Sequence, residues 1–215
     1  MVASGLSKER KINFSLDLKD KAMVYIDTEQ PEHFFYSTQS QAHEMAGFHT
    51  DADGYHAFRL RGFSVEERVA AIDLIISKIP NIGVLIIDGA LDLVKNFNNE
   101  EQCQALGQKF LEWTDKSKAL ILTVIHTSKS TGFTTGHLGA ILNKKCDFCF
   151  EMINDEEARK TTVKNKFGRT KPFPGFDFTQ DDRGWPVLLR EEFLPTPPDW
   201  SSDIKKSEDT SFVPF

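Results

Sequence analysis

Apolar positions along the chain fall into two textures. Residues 23–27 (MVYID), 84–88 (VLIID) and 119–125 (ALILTVI) are short apolar runs rich in β-branched side chains. None alternates with polar residues, as expected of strands covered by helices on both faces. The run at 119–125 gives the strongest strand signal. Between the runs, Val65, Val69, Ile72, Ile76 and Ile79 recur at helical spacing. Ser64 with Glu67 makes a capping box and Pro80 stops the segment, so a helix is predicted over 64–79. Cys103, Leu106, Phe110 and Trp113 share one face of a second helix over 99–116. A third, less regular helix spans 32–46, where Phe34, Phe35 and Tyr36 can pack. With a short strand at 56–60, the order is strand, helix, strand, helix, strand, helix, strand. Such βαβ units give a parallel sheet with right-handed crossovers, an α/β fold.

After residue 145 the runs shorten. Residues 146–153, 161–167, 176–179 and 187–190 read as strands, with polar turns at 154–157 and 181–184. They suggest antiparallel strands extending the sheet edge. From Leu194 onward Pro, Ser and charged residues dominate. Residues 1–193 are therefore expected to form one core and 194–215 a mobile tail.

Composition narrows the class. At 215 residues the chain can bury roughly 70% of its unfolded surface without a disulfide or metal staple. The net charge of −6 argues against a global polyanion-binding surface, so any nucleic-acid contact is a local patch. No apolar run approaches the roughly 18 residues a membrane span needs, and MVASGLSKERK lacks the apolar core of a secretion signal. Three cysteines, an odd count, point to a reducing compartment, and a cytoplasmic protein with no membrane partner is expected.

Three strands end in polar residues suited to chemistry: Asp27-Thr28-Glu29-Gln30, Asp88-Gly89, and His126-Thr127-Ser128-Lys129. Ligands of doubly wound sheets bind beyond the carboxyl ends of the strands. Phosphoryl transfer needs an acid for Mg²⁺, a group that orients water, and a polar group near the γ-phosphate. Each acid taken alone also fits a cap or rim residue.

VYIDTEQ (24–30), VLIIDGALDLV (84–94), TVIHTSKS (123–130) with GHLGAILNK (136–144), and VKNKFGRTKPF (163–173) occur in that order. In these motifs the chain, up to about residue 190, resembles a RecA-like P-loop ATPase core. The subgroup is the one found on bacterial mobile elements and near plasmid replicative helicases. The resemblance implies ATP and Mg²⁺ as cofactors and a homo-oligomeric ring. It implies Glu29 as the base that polarises water, Asp88 as the Walker B acid holding Mg²⁺ through water, and His126 as the γ-phosphate sensor. Lys164 and Lys166, or alternatively Arg169, would reach a neighbouring subunit's nucleotide. Lys95, Phe97, Lys129 and Phe133 are the cationic and stacking groups available to single-stranded DNA.

A P-loop reads G-x-x-x-x-G-K-S/T, with backbone amides cradling the phosphates. The nearest stretch is Gly5 to Ile12, where Arg10 replaces the second glycine and Ile12 the hydroxyl. Residues 12–18 (INFSLDL) alternate like a strand instead. Met1 to Leu6 reads as the end of a phosphate-loop helix whose loop and strand lie upstream. Nucleotide binding is then expected to be weak, and hydrolysis slow or absent. Losing that strand would also leave the VLIID strand with an open edge, which favours self-association or low stability.

Cys146-Asp147-Phe148-Cys149 is a C-x-x-C in a strand-like run, without the second pair a zinc site needs. It reads as buried structural cysteines. His126 and His137 permit a metal pair without suggesting one. The acidic Pro-Phe ending at 207–215 is similar to tails by which bacterial single-stranded DNA-binding proteins dock onto partners, so a protein partner is one reading of it. Two function classes remain: an ATPase core of a DNA motor or mobile-element replication or mobilisation protein, and a non-catalytic remnant or interaction module. A doubly wound domain for another phosphate ligand is weaker, because G-x-G-x-x-G is absent.

Overall fold

The computed structural model describes Leu18 and residues 20–47, 53–127, 136–169 and 175–189. In chain order these form β1 (Ala22–Asp27), α1 (Glu32–Met45), β2 (Tyr55–Arg59), α2 (Val65–Lys78) and β3 (Ile82–Asp88). A 3-10 turn (Ala90–Leu93) precedes α3 (Glu100–Ser117), β4 (Leu120–Thr123) and α4 (Gly136–Lys145). Then come β5 (Phe148–Asp155), β6 (Lys160–Gly168), β7 (Phe176–Gln180) and β8 (Pro186–Leu188).

The first four strands make a parallel sheet in the order β2-β1-β3-β4. Val24 and Ile26 of β1 and Leu85 and Ile87 of β3 point to one face, where they join Ile72, Leu106, Phe110, Trp113 and Leu138 of α2, α3 and α4. Ser64 and Glu67 form the reciprocal box on α2 that the sequence implies, and Asn99 accepts from the Gln102 amide on α3. A further clamp joins these two helices: Asp73 accepts from Trp113 Nε1 at 2.8 Å and pairs with Lys109 at 3.1 Å. On the opposite face, Tyr25 stacks on Phe35 of α1, while Met23 and Val84 pack on Leu18.

The last four strands form a separate antiparallel sheet, β5-β6-β7-β8, rather than an extension of the parallel one. Its strands alternate in exposure, so each face finds its own partners and no continuous ladder to β4 is required. β3 is not an edge strand: it pairs with β1 on one side and with β4 on the other, so the open VLIID edge is not found. The edges of this sheet are β2 and β4. β4 is shorter than its apolar run suggests, because an edge strand pairs on one side alone. α4 was not legible as a helix, since two glycines and a Gly/Thr-rich lead weaken its periodicity. Cys146 follows α4, donating its amide to Leu142, and only Cys149 lies on a strand. Both thiols are half-buried rather than buried, and Cys103 is the buried one. Residues 1–17, including the Gly5-to-Ile12 stretch, lie outside the described residues, as does the tail beyond Leu189.

Candidate nucleotide site at the carboxyl edge

The strand ends meet through backbone and short side chains. Asp27 and Asp88 are register partners on β1 and β3. Asp27 is fully buried, and its Oδ1 accepts from the amides of Glu29 at 2.9 Å and Gln30 at 2.7 Å. That Asx-type turn fixes the chain direction just where Glu29 leaves the sheet. Asp27 Oδ2 has no hydrogen-bond partner. Thr28, also buried, donates its amide to Asp88 O at 3.1 Å, and its hydroxyl lies 2.9 Å from the carbonyl oxygens of both Asp88 and Gly89.

Gly89 carries a left-handed φ of +98°. A Cβ there would stand 2.7 Å from Glu29 Cγ and closer still to Thr28 Oγ1. Glycine thus lets the Glu29 side chain lie across the β3 terminus. On the far side, Thr123 Oγ1 donates to Ile87 O at 2.8 Å, and Ala90 N donates to Val124 O at 3.3 Å. These bonds hold the end of β4 level with Gly89. His126 Nε2 then stands 3.4 Å from Glu29 Oε2. Glu29, Asp88 and His126 are therefore brought to one ledge.

Tyr25, two residues before Asp27, donates its phenol to Asp88 Oδ2 at 2.8 Å. Burial, reinforced by the negative charge and hydrogen bond of Asp88, pushes the Tyr25 phenol far above the ordinary phenol range. Burial also pushes Tyr55 up to about 12. Arg68 ties the loops behind this ledge. Its guanidinium donates to Leu60 O at 3.1 Å, Arg61 O at 2.8 Å and Asp92 O at 2.8 Å.

The other sequence candidates lie elsewhere. Lys95 is exposed and paired with Glu66. Phe97 packs against Gly136, and its carbonyl accepts from the Leu138 amide at 3.3 Å. Lys164, Lys166 and Arg169 belong to the antiparallel sheet or its end. Lys166 pairs with Glu151 at 3.4 Å and Arg169 with Asp147 at 3.6 Å, while Lys164 makes no ion pair among the described residues. Lys129 and Phe133 lie outside the described residues. Among the described residues, no group of three His, Cys, Asp or Glu is placed to hold a metal, so Asp88 would hold Mg²⁺ through waters rather than in a protein cage. Tyr25, Thr28 and Gly89 were not assigned roles from sequence. The signal available for them was their place within two residues of the acid that ends each strand.

No family model matches this chain, and no curated protein matches it. Solved structures do. The ATPase domain of a helicase superposes with a TM-score of 0.57 at 11% identity, over 80% of this chain and 75% of that one. The RadB recombinase superposes with a TM-score of 0.49 at 15% identity, over 78% and 79%. The chain has a RecA-like α/β fold. Among the described residues, no helix is long and apolar enough to cross a membrane.

Proposed function

We propose that this chain is the ATPase core of a DNA-associated motor or a mobile-element replication or mobilisation protein, handling Mg²⁺–ATP at the carboxyl edge of its parallel sheet. The observation that carries the reading is the meeting of Glu29 and His126 across Gly89, beside Asp88. In this reading Glu29 polarises the attacking water, Asp88 holds Mg²⁺ through water, and His126 senses the γ-phosphate. With Tyr25 on Asp88 Oδ2, Oδ1 is the oxygen left for the metal's water. Lys164, Lys166 or Arg169 would act on a neighbour's nucleotide in a ring, the last two after leaving their present carboxylates. Lys95, Phe97, Lys129 and Phe133 serve single-stranded DNA, the 207–215 ending serves a protein partner, and the setting is cytoplasmic. Because Gly5 to Ile12 departs from the phosphate-loop pattern at two positions, binding is weak and turnover slow or absent.

Calorimetric titration with Mg²⁺–ATP tests this. Saturable binding should be lost in Asp88→Ala and kept in Glu29→Gln. Equal binding by the Asp88→Ala chain would remove the reading. The second reading, a non-catalytic remnant that keeps the fold, is favoured by the direct β3–β4 pairing, which leaves no slot between them for a further strand carrying a phosphate loop. Under it, no variant binds.

A further inference from the structure

One face of the parallel sheet is covered over half its width only. α1 sets Phe35 on Tyr25 and Gln39 on Tyr55, and Leu18 covers Met23 and Val84. Toward β4 the same face carries Leu120 at 38% exposed, Leu122 partly buried and Val124 at 47% exposed. These alternate with Ile121 and Ile125, which pack on the opposite face. The result is an apolar stripe on an edge strand, next to Ile86 and the Tyr25–Asp88 pair.

Leu18 indicates what covers it. This side chain is 5% exposed and already seated on the face. Its carbonyl accepts from the Lys21 amide at 2.7 Å, a reverse turn into β1. That turn directs the backbone entering Leu18 back over the sheet, from the amino ends of β1 and β3 toward their carboxyl ends. Residues 12–18 read INFSLDL: Ile12, Phe14, Leu16 and Leu18 alternate with Asn13, Ser15 and Asp17. An extended chain puts those four apolar residues on one side, and six residues reach about 20 Å. That suffices to pass from β3 across the length of β4.

We propose that residues 12–18 form an apolar strap over the β3–β4 half of this face, with Ile12, Phe14 and Leu16 covering Leu120, Leu122 and Val124. The strap keeps water from Ile86 and Leu122, the apolar floor beside Asp88. It stands apart from the nucleotide reading, since nothing in it requires a ligand.

Hydroxyl-radical footprinting of the unaltered full chain, at concentrations where it is monomeric, tests the cover directly. Leu120 and Leu122 should be labelled several-fold more slowly than Leu74, which is 57% exposed on α2. Labelling as fast as Leu74 overturns the strap. So does protection that disappears on dilution, which would assign the cover to a second copy. In a second measurement, Phe14→Cys is combined with Leu122→Cys, oxidised, and the bond mapped by mass spectrometry. An intrachain link should form in several-fold higher yield than from Asn13→Cys with Leu122→Cys, because residue 13 faces away. Equal yields, or links only between chains, overturn the proposal. Should the cysteine chains fail to fold, the footprint of the unaltered chain decides.

Discussion

Tyr25 and Asp88, on neighbouring parallel strands, share a hydrogen bond of 2.8 Å in which the phenol donates to the carboxylate. The bond occupies one oxygen of the acid the account assigns to Mg²⁺ and fixes its orientation. It also makes the phenol reluctant to ionise, because its charged form would be buried beside Asp88.

A stability change at alkaline pH follows. Folding raises the Tyr25 value above that of an unfolded phenol, about 10. Its contribution is therefore complete below that pH and is lost as pH rises toward the folded value. In alkaline difference spectra, Tyr25→Phe should leave the early part of the phenol titration unchanged, and denaturant midpoints of the variant should fall less steeply above pH 10 than those of the parent.

Gly89→Ala should cost about 1–2 kcal/mol from the left-handed backbone alone. The added methyl group also crowds Thr28 and Glu29, so the urea midpoint should drop further and the Glu29–His126 contact should open. A midpoint equal to that of the parent would contradict the packing described.

Arg68 holds three carbonyl oxygens from the loops after β2 and β3. A lysine cannot span all three, because it offers one point charge in place of a fork. Arg68→Lys and Arg68→Ala should both destabilise by on the order of 2 kcal/mol, as hydrogen bonds from a charged donor do. Thermal unfolding with both variants checks this.

Burial works against a charged Asp73, but hydrogen bonds from Trp113 and Lys109 outweigh it and hold the carboxyl below its ordinary range. The sign is that of a depressed acid: its stabilisation is present above about pH 3.9 and is lost as pH falls through the lower folded value. Asp73→Asn should flatten the acid limb of the stability curve. Trp113 fluorescence reports the α2–α3 docking directly.

Most of the parallel layer was legible because its signals are local. The unbroken apolar runs, the 3.6-residue apolar period and the Ser64–Glu67 box place β1 through α3 within a residue or two. Direct β3–β4 pairing and the separate antiparallel sheet were not legible, since strand order depends on long-range packing that no short window carries. In the site, the acids and His126 stood out as polar residues ending apolar runs. Thr28 and Gly89 did not, because their roles are a buried hydroxyl bond and the room left by a missing Cβ. α4 was obscured by its own glycines, one of which, Gly139, is buried.

The shared ledge of Glu29, Asp88 and His126 is tested most directly by following the His126 imidazole and the Gly89 amide by nuclear magnetic resonance while Mg²⁺–ATP is added. The account expects both signals to move along one saturation curve in the parent chain and to stay still in Asp88→Asn. Signals that do not move in the parent, or that move equally in Asp88→Asn, would contradict it.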